Sequence, residues 1–337
     1  MVTVTCAPEL PGTIYASCSG TPMKKLLIQS CLALLWCSGA AADERDLATA
    51  DAFLRRHCGR AACGLSAAEK TSLGQALRAP RRTVDDRTIA GLVNNPVAWH
   101  PGPDGRQLLR SVITALPHVA TIPGAGRSLA NATHPNTANF RGFGFEAIAS
   151  AALSRYREPN GSVPRVLRMS AEVCDHKGKK YESDGCAVFS GADRRQRLVT
   201  MKSIGAEKAL GKAVHKAMLQ LAKRNGSLDR PGEPGQPGIL MLGYSDPQIL
   251  ATARRKDWGA AATRSGAKLL ALAVNQLTGE VTRLASVEPS RSGMRERHDL
   301  AVQRQAERQA RHQKQIQRQR ERRNRRHDWR PRRSRRY

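Results

Sequence analysis

A carboxylate and an ammonium on neighbouring strands can hold a cation beside a charged phosphate, and one stretch of this sequence carries both. Asp184 stands just before the run Gly185 to Phe189, and Lys202 falls near the end of the run Arg197 to Ile204. Strand residues two apart face the same way, so Thr200 shares a face with Lys202, and Glu182 with Asp184. Hydrolysis of a phosphodiester needs a hard cation held by oxygens, an activated water, and positive charge for the developing oxyanion. In that scheme Asp184 holds the metal while Lys202 orients water and stabilises the charged phosphate. Thr200 offers only a neutral oxygen, so metal affinity suffers unless Glu182 or Glu146 moves in.

The elements that must position these groups follow from periodicity. Phe145, Ile148, Ala149, Ala152, Leu153 and Tyr156 recur at helical spacing and place Glu146 on a helix. After a turn at Pro159-Asn160-Gly161, strands are expected at Val166 to Val173, Gly185 to Phe189 and Arg197 to Ile204, with polar turns at Lys177 to Lys180 and Gly191 to Arg195. A helix from Ala206 to Arg224 carries Leu210, Val214, Ala217, Met218 and Leu221 on one face, and further strands are expected at Ile239 to Leu242, Leu269 to Val274 and Val281 to Val287. Upstream, Asp43 to Ala79 reads as helical, with a capping box at Ser66 and Glu69. Leu108 to Leu116 reads as a helix closed by Pro117, and Pro123 to Asn139 as a loop. The expected fold class is α/β with a small mixed sheet, preceded by a helical region.

The order of helix with Glu, hairpin with Asp, then strand with x-x-Lys resembles the core of the PD-(D/E)XK, restriction-endonuclease-like nuclease superfamily. The resemblance rests on Tyr181-Glu-Ser-Asp184-Gly-Cys-Ala-Val-Phe189 and Leu198-Val-Thr200-Met-Lys202-Ser203, and covers about Asn139 to Val287. It implies a magnesium ion surrounded by Glu146, Asp184 and the Lys202 motif; Glu182 is a candidate metal ligand only through its shared face with Asp184. Thr200 occupies the position of the family's second strand acid and departs from the pattern. A lysine-dotted helix follows the third strand in many members, as Lys208, Lys212 and Lys216 do here, which marks those three as nucleic-acid contacts. The implied function is metal-dependent hydrolysis of nucleic-acid phosphodiesters. The Thr200 departure keeps open a catalytically degenerate protein that binds nucleic acid or serves envelope assembly.

Charge sharpens the question of partners. The chain has 337 residues and a formal net charge of +28. Residues 291–337 hold 18 Lys and Arg against 5 Asp and Glu, so they supply +13 of it from about a seventh of the length. Of the 56 cations, 42 are Arg, the side chain that grips phosphate bidentately. The tail, with Arg322, Arg323, Arg325, Arg326, Arg332 and Arg333, is expected to bind nucleic acid or another polyanion, an anionic membrane surface included. It reads as helix-competent to about Arg320 and as disordered beyond, with few core contacts.

The start of the chain has the order of a secretory signal: Met23-Lys24-Lys25, an apolar run from Leu26 to Trp36, and Ala40-Ala41-Ala42 before Asp43. That run is short of the ~20 residues a membrane span needs. The expectation is translation from Met23, export to the periplasm or outside the cell, and a mature chain starting near Asp43. Four cysteines remain after such cleavage: Cys58, Cys63, Cys174 and Cys186. Cys58 and Cys63 are not in zinc-ligand spacing and no matching His pair follows, so disulfides Cys58–Cys63 and Cys174–Cys186 are expected. The domain organisation drawn from these signals is a leader at 1–42, a helical region at 43–138, a nuclease-like domain at 139–288 and a basic tail at 289–337.

Overall fold

A computed structural model describes residues 43–58, 64–99, 103–169, 174–176, 179–181, 184–190, 196–225 and 235–328. The leader, Glu182, Cys63, Arg332 and Arg333 lie outside the described residues. The chain divides into two compact units, Met1–Ala79 and Pro80–Tyr337.

In the first unit, helix α1 spans 43–57 and α2 spans Ala67–Arg78. The Ser66 side chain accepts from the Glu69 N–H, and the Glu69 carboxylate accepts from the Ser66 N–H, so both orphan donors at the start of α2 are satisfied. Gly74 lets the two helices touch, because a Cβ there would collide with the backbone of Asp46.

The second unit opens with α3 (Asp86–Val93), α4 (Pro96–Trp99), α5 (Pro103–Val119), α6 (Ala125–Ala132) and α7 (Thr137–Arg155). Two expectations are corrected here. Pro117 does not close its helix; it sits inside the last turn of α5, where its missing N–H forgoes the bond back to the Ile113 carbonyl without ending the helix. The stretch expected as a loop from Pro123 to Asn139 contains α6 and the start of α7. Gly124 caps α6 in the left-handed conformation, φ 88°. Gly126 is required by packing, since a Cβ on it would run into the Thr83 carbonyl. Because α5 and α6 pack along α7, the boundary drawn at 138/139 falls inside this unit.

Strands β1 (Pro164–Met169), β2 (Cys174–His176), β3 (Lys179–Tyr181), β4 (Gly185–Phe189) and β5 (Gln196–Ser203) follow. Lys179–Tyr181 pairs with β2 as a small separate ladder, where a turn was expected. Then come a short 3₁₀ turn (Glu207–Ala209), α8 (Leu210–Arg224), β6 (Gly238–Tyr244), α9 (Pro247–Arg254), α10 (Trp258–Ser265), β7 (Leu269–Asn275), β8 (Val281–Val287) and the long α11 (Arg291–Asp328). The main sheet has six strands in the order β1-β4-β5-β6-β7-β8. β1, β4 and β5 run antiparallel to their neighbours in turn, β5, β6 and β7 are mutually parallel, and β8 returns antiparallel. The parallel pairings require crossovers; α8 supplies the first, and α9 with α10 the second.

Alternation along the strands sends apolar side chains to both faces. Leu198, Leu240, Leu242, Leu269 and Ala271 pack with Val214, Met218 and Leu221 of α8 and with Trp258 of α10. The opposite face receives α7, which packs on β1, β5 and β6. Its Phe145 lies so close to β6 that a Cβ on Gly243 would collide with the ring. Among the described residues no helix is long and apolar enough to cross a membrane.

Candidate functional site

The sheet creates an opening where β4 stops short of β5. The β4 ladder begins at Gly185, opposite Val199, while β5 continues to Ser203 paired to β6 on its other side. That leaves the N–H of Met201 on an edge with no strand to accept it. Asp184, the residue just before β4, fills the role: its Oδ2 accepts from the Met201 N–H at 2.7 Å and from Lys202 Nζ at 3.2 Å. The ion pair is partly open to solvent, with side chains 22% and 20% exposed for Asp184 and Lys202. Both donors use the same oxygen.

Glu146 reaches the same opening from α7. A cleft of about 380 Å³ is lined by Arg141, Glu146, Asp184, Lys202 and Ser203 among others. Burial, with a smaller push from the Asp184 charge, raises the Glu146 carboxyl from its ordinary 4.5 to about 7. Two contacts oppose that rise: the Ser128 hydroxyl of α6, which donates to Glu146 Oε2 at 2.6 Å, and the Lys202 charge. Glu146 Oε1 carries no such bond, so each of the two carboxylates keeps one oxygen for a ligand.

Thr200 does not join this group. It is fully buried and its hydroxyl has no hydrogen-bond partner. A buried unsatisfied hydroxyl between packed strands costs stability and holds nothing. The cleft therefore unites Glu146, Asp184 and Lys202, and Thr200 is not among its lining residues.

The fit to a cation can be judged from these donors. No group of three or more His, Cys, Asp or Glu is placed to share a metal ion among the described residues. Two carboxylates with one open oxygen each nonetheless suit magnesium, which keeps several waters and takes one or two carboxylates from a protein. The mutual repulsion that helps to raise Glu146 is the field a cation would relieve.

Ser128, Arg141 and Ser203 were not anticipated from sequence. Ser128 lies in the segment expected as a loop, and nothing in its spacing announces a bond to Glu146. Arg141 had a legible signal, since Ala138, Gly142 and Glu146 recur at helical spacing beside it and line the cleft with it. Ser203 is anchored by Gln276, whose Nε2 lies 3.0 Å from its hydroxyl.

The remaining candidate residues lie elsewhere. Lys208, Lys212 and Lys216 are exposed along the outer side of the 3₁₀ turn and α8, a helix with no acidic residue. Cys58 and Cys186 are disulfide-bonded. In the tail, the helix extends to Asp328, beyond the expected end near Arg320, and includes Arg322, Arg323, Arg325 and Arg326. Arg, Gln, Lys, Glu and Ala are all strong helix formers, and Glu321 precedes Arg325 by the favourable four residues. The start of this helix is not free of the core: Met294 is buried, and the Ser290 N–H donates to Thr263 Oγ1. Beyond Met294, every residue of α11 whose side chain is described is exposed.

Compared with protein-family models, with curated proteins and with solved structures, the chain matches none.

Proposed function

We propose that this chain is an exported, magnesium-dependent nuclease-like protein that hydrolyses nucleic-acid phosphodiesters at the cleft between α7, β4 and β5. The observation that carries this reading is the meeting of Glu146, Asp184 and Lys202, from one helix and two strands, around a single opening. The order and directions of β1, β4, β5 and β6, with α7 before them and α8 crossing between β5 and β6, support it further. The Arg-rich α11 and the exposed lysines of α8 would add sequence-independent affinity for phosphates. Export rests on the leader pattern and on cysteines in disulfides, which suit an oxidising compartment.

Hydrolysis joins a water oxygen to phosphorus and breaks the bond to one ester oxygen; the water loses a proton and the departing alkoxide gains one. Glu146 and Asp184 are the residues that would hold a magnesium ion, which when bound supplies Lewis-acid stabilisation of the phosphoryl oxygens and lowers the pKa of water. Lys202 sets a positive charge beside Asp184, where negative charge grows on the phosphoryl oxygens. Asp184 keeps that ammonium in place and is itself held by the Met201 N–H. Without the ion, burial holds the Glu146 carboxyl at about 7; binding magnesium would require its proton to leave, so metal affinity would rise with pH.

A second reading has its own observation. Thr200 provides no carboxylate and is shut away from the cleft, which favours a protein that binds nucleic acid, or serves envelope assembly, without cutting. Incubation of the mature protein with plasmid DNA and with RNA, in Mg²⁺ and in EDTA, separates the two. The nuclease reading expects cleavage that needs Mg²⁺ and is lost in Asp184→Asn and Lys202→Ala. Binding without cleavage by the wild-type protein supports the second reading.

A further inference from the structure

The long helix α11 has two unlike sides. Between Val302 and Gln319 it carries five cations, Arg304, Arg308, Arg311, Lys314 and Arg318, against one acid, Glu307. At about 3.6 residues per turn those positions fall within an arc of about 120° and run for about 21 Å along the axis. Arg311, Lys314 and Arg318 are exposed. The other side holds Val302, Ala306, Gln309, Gln313 and Ile316, at i, i+4, i+7, i+11 and i+14, all uncharged and exposed. The stripe is presented from a fixed base. Met294 is buried, the Ser290 N–H donates to Thr263 Oγ1 at 3.0 Å, and a Cβ on Gly293 would collide with Thr263 Cγ2.

We infer that this one-sided stripe docks α11 along the phosphates of a double-stranded nucleic acid, with the helix intact and one face turned to the partner. The inference deepens the phosphate-binding reading of the tail and rests on it. Gathering the cations on one side costs the free helix, because Arg304 with Arg308, and Lys314 with Arg318, are like charges one turn apart. A row of anions turns that repulsion into attraction. A duplex offers about one phosphate charge per 1.7 Å of its axis, or about 12 over the length of the stripe. It is also straight on this scale, with a persistence length of about 150 base pairs, so a rigid helix meets it without either bending. A single strand is held by stacking its bases on aromatic rings as well as by charge, and α11 has no Phe, Tyr or Trp. An anionic membrane surface takes a helix whose side opposite the cations is apolar enough to enter lipid. Here that side puts Gln309 and Gln313 between Val302 and Ile316.

The test moves charge without changing composition. In the full mature chain, Gln309→Arg with Arg311→Gln, Gln313→Lys with Lys314→Gln, and Gln317→Arg with Arg318→Gln carry three cations to the uncharged side. Fluorescence anisotropy with a labelled duplex of about 24 base pairs should show weaker binding and a log-log salt slope smaller by about 2.7, three contacts at about 0.9 each. Helix content by circular dichroism should not change. Ala310→Pro keeps every charge but breaks the helix within the stripe, and should weaken duplex binding while leaving the melting temperature of the body unchanged. Wild-type affinity and slope in the relocated variant would overturn the inference and leave α11 as an undirected polycation, a reading that truncation after Glu296 tests separately. Wild-type binding by Ala310→Pro would overturn it as well, because the intact helix would not be needed. A single strand of the same sequence, and phosphatidylglycerol vesicles, should lose much less affinity than the duplex on relocation. An equal or larger loss with either would assign the stripe to that partner and overturn the duplex.

Discussion

Glu146 should make this protein lose stability as the pH rises through neutrality, and Glu146→Gln should remove that loss. Burial holds the carboxyl at about 7 in the folded chain against an ordinary 4.5. Between those two values the folded state keeps a proton that the unfolded state has released, so stability falls with rising pH. The stabilising contribution is fully present below about 4.5 and is gone once the pH passes about 7. At about 1.36 kcal/mol for each pKa unit, the change amounts to about 3 kcal/mol. Glutamine keeps the shape and can still accept the Ser128 hydroxyl bond, but it never carries the charge. The assay is urea denaturation of both proteins in EDTA from pH 4.5 to 8.5, read from the emission of buried Trp258. Subtracting one curve from the other cancels every other titrating group. The difference should be near zero at the acid end and reach about 3 kcal/mol in favour of Glu146→Gln at the alkaline end. Millimolar Mg²⁺ should narrow that gap in the wild-type protein, since a cation compensates the buried charge. Parallel stability curves across the whole range would refute the reasoning.

Other changes have equally direct outcomes. Thr200→Val replaces an unpartnered buried hydroxyl with an apolar group of the same shape, and should stabilise the fold by about 1 kcal/mol in thermal denaturation while leaving cleavage unchanged. Ser128→Ala removes a bond that favours the charged form of Glu146, so the pH–activity midpoint that reports Glu146 should move upward; an unmoved midpoint would separate that residue from the reaction. Truncation after Glu296 keeps the packed turn around Met294 but removes all but two of the 18 cations of residues 291–337. It should lower the salt slope of duplex binding by about 0.9 for each phosphate that the tail no longer neutralises, with no change in melting temperature.

The six-stranded sheet was largely legible because its cause is local. Runs such as Leu198 to Met201 and Leu269 to Val274 are apolar at nearly every position, as strands buried on two faces must be, and α7 and α8 carry their core residues at helical spacing. The capping box at Ser66 and Glu69 is equally local, and so is the clustering of arginine after residue 291. Short helices were harder. α6 was hidden because Gly124 and Gly126 look like loop residues, whereas one caps the helix and the other clears the Thr83 carbonyl. α9 and α10 went unread although Asp246 before Pro247, and Asp257 before Trp258, are serviceable helix starts.

The site divides in the same way. Which residue types could hold a cation beside a phosphate is read from the sequence alone; the fold adds that Glu146, Asp184 and Lys202 line one cleft. Alternation along β5 also put Thr200 on the face of Lys202. Only the tertiary structure decided that the two have different surroundings. β4 begins only at Gly185, opposite Val199, so the edge of β5 beyond it is open beside Lys202, while Thr200 is fully buried. No pattern within a strand reveals where its neighbour stops. The same holds for the carboxyl of Glu146, whose pKa depends on how much water α6, α7 and the sheet exclude together. Residue type fixes which charges exist; burial and the ends of neighbouring strands, set by contacts far apart in the chain, fix what those charges can do.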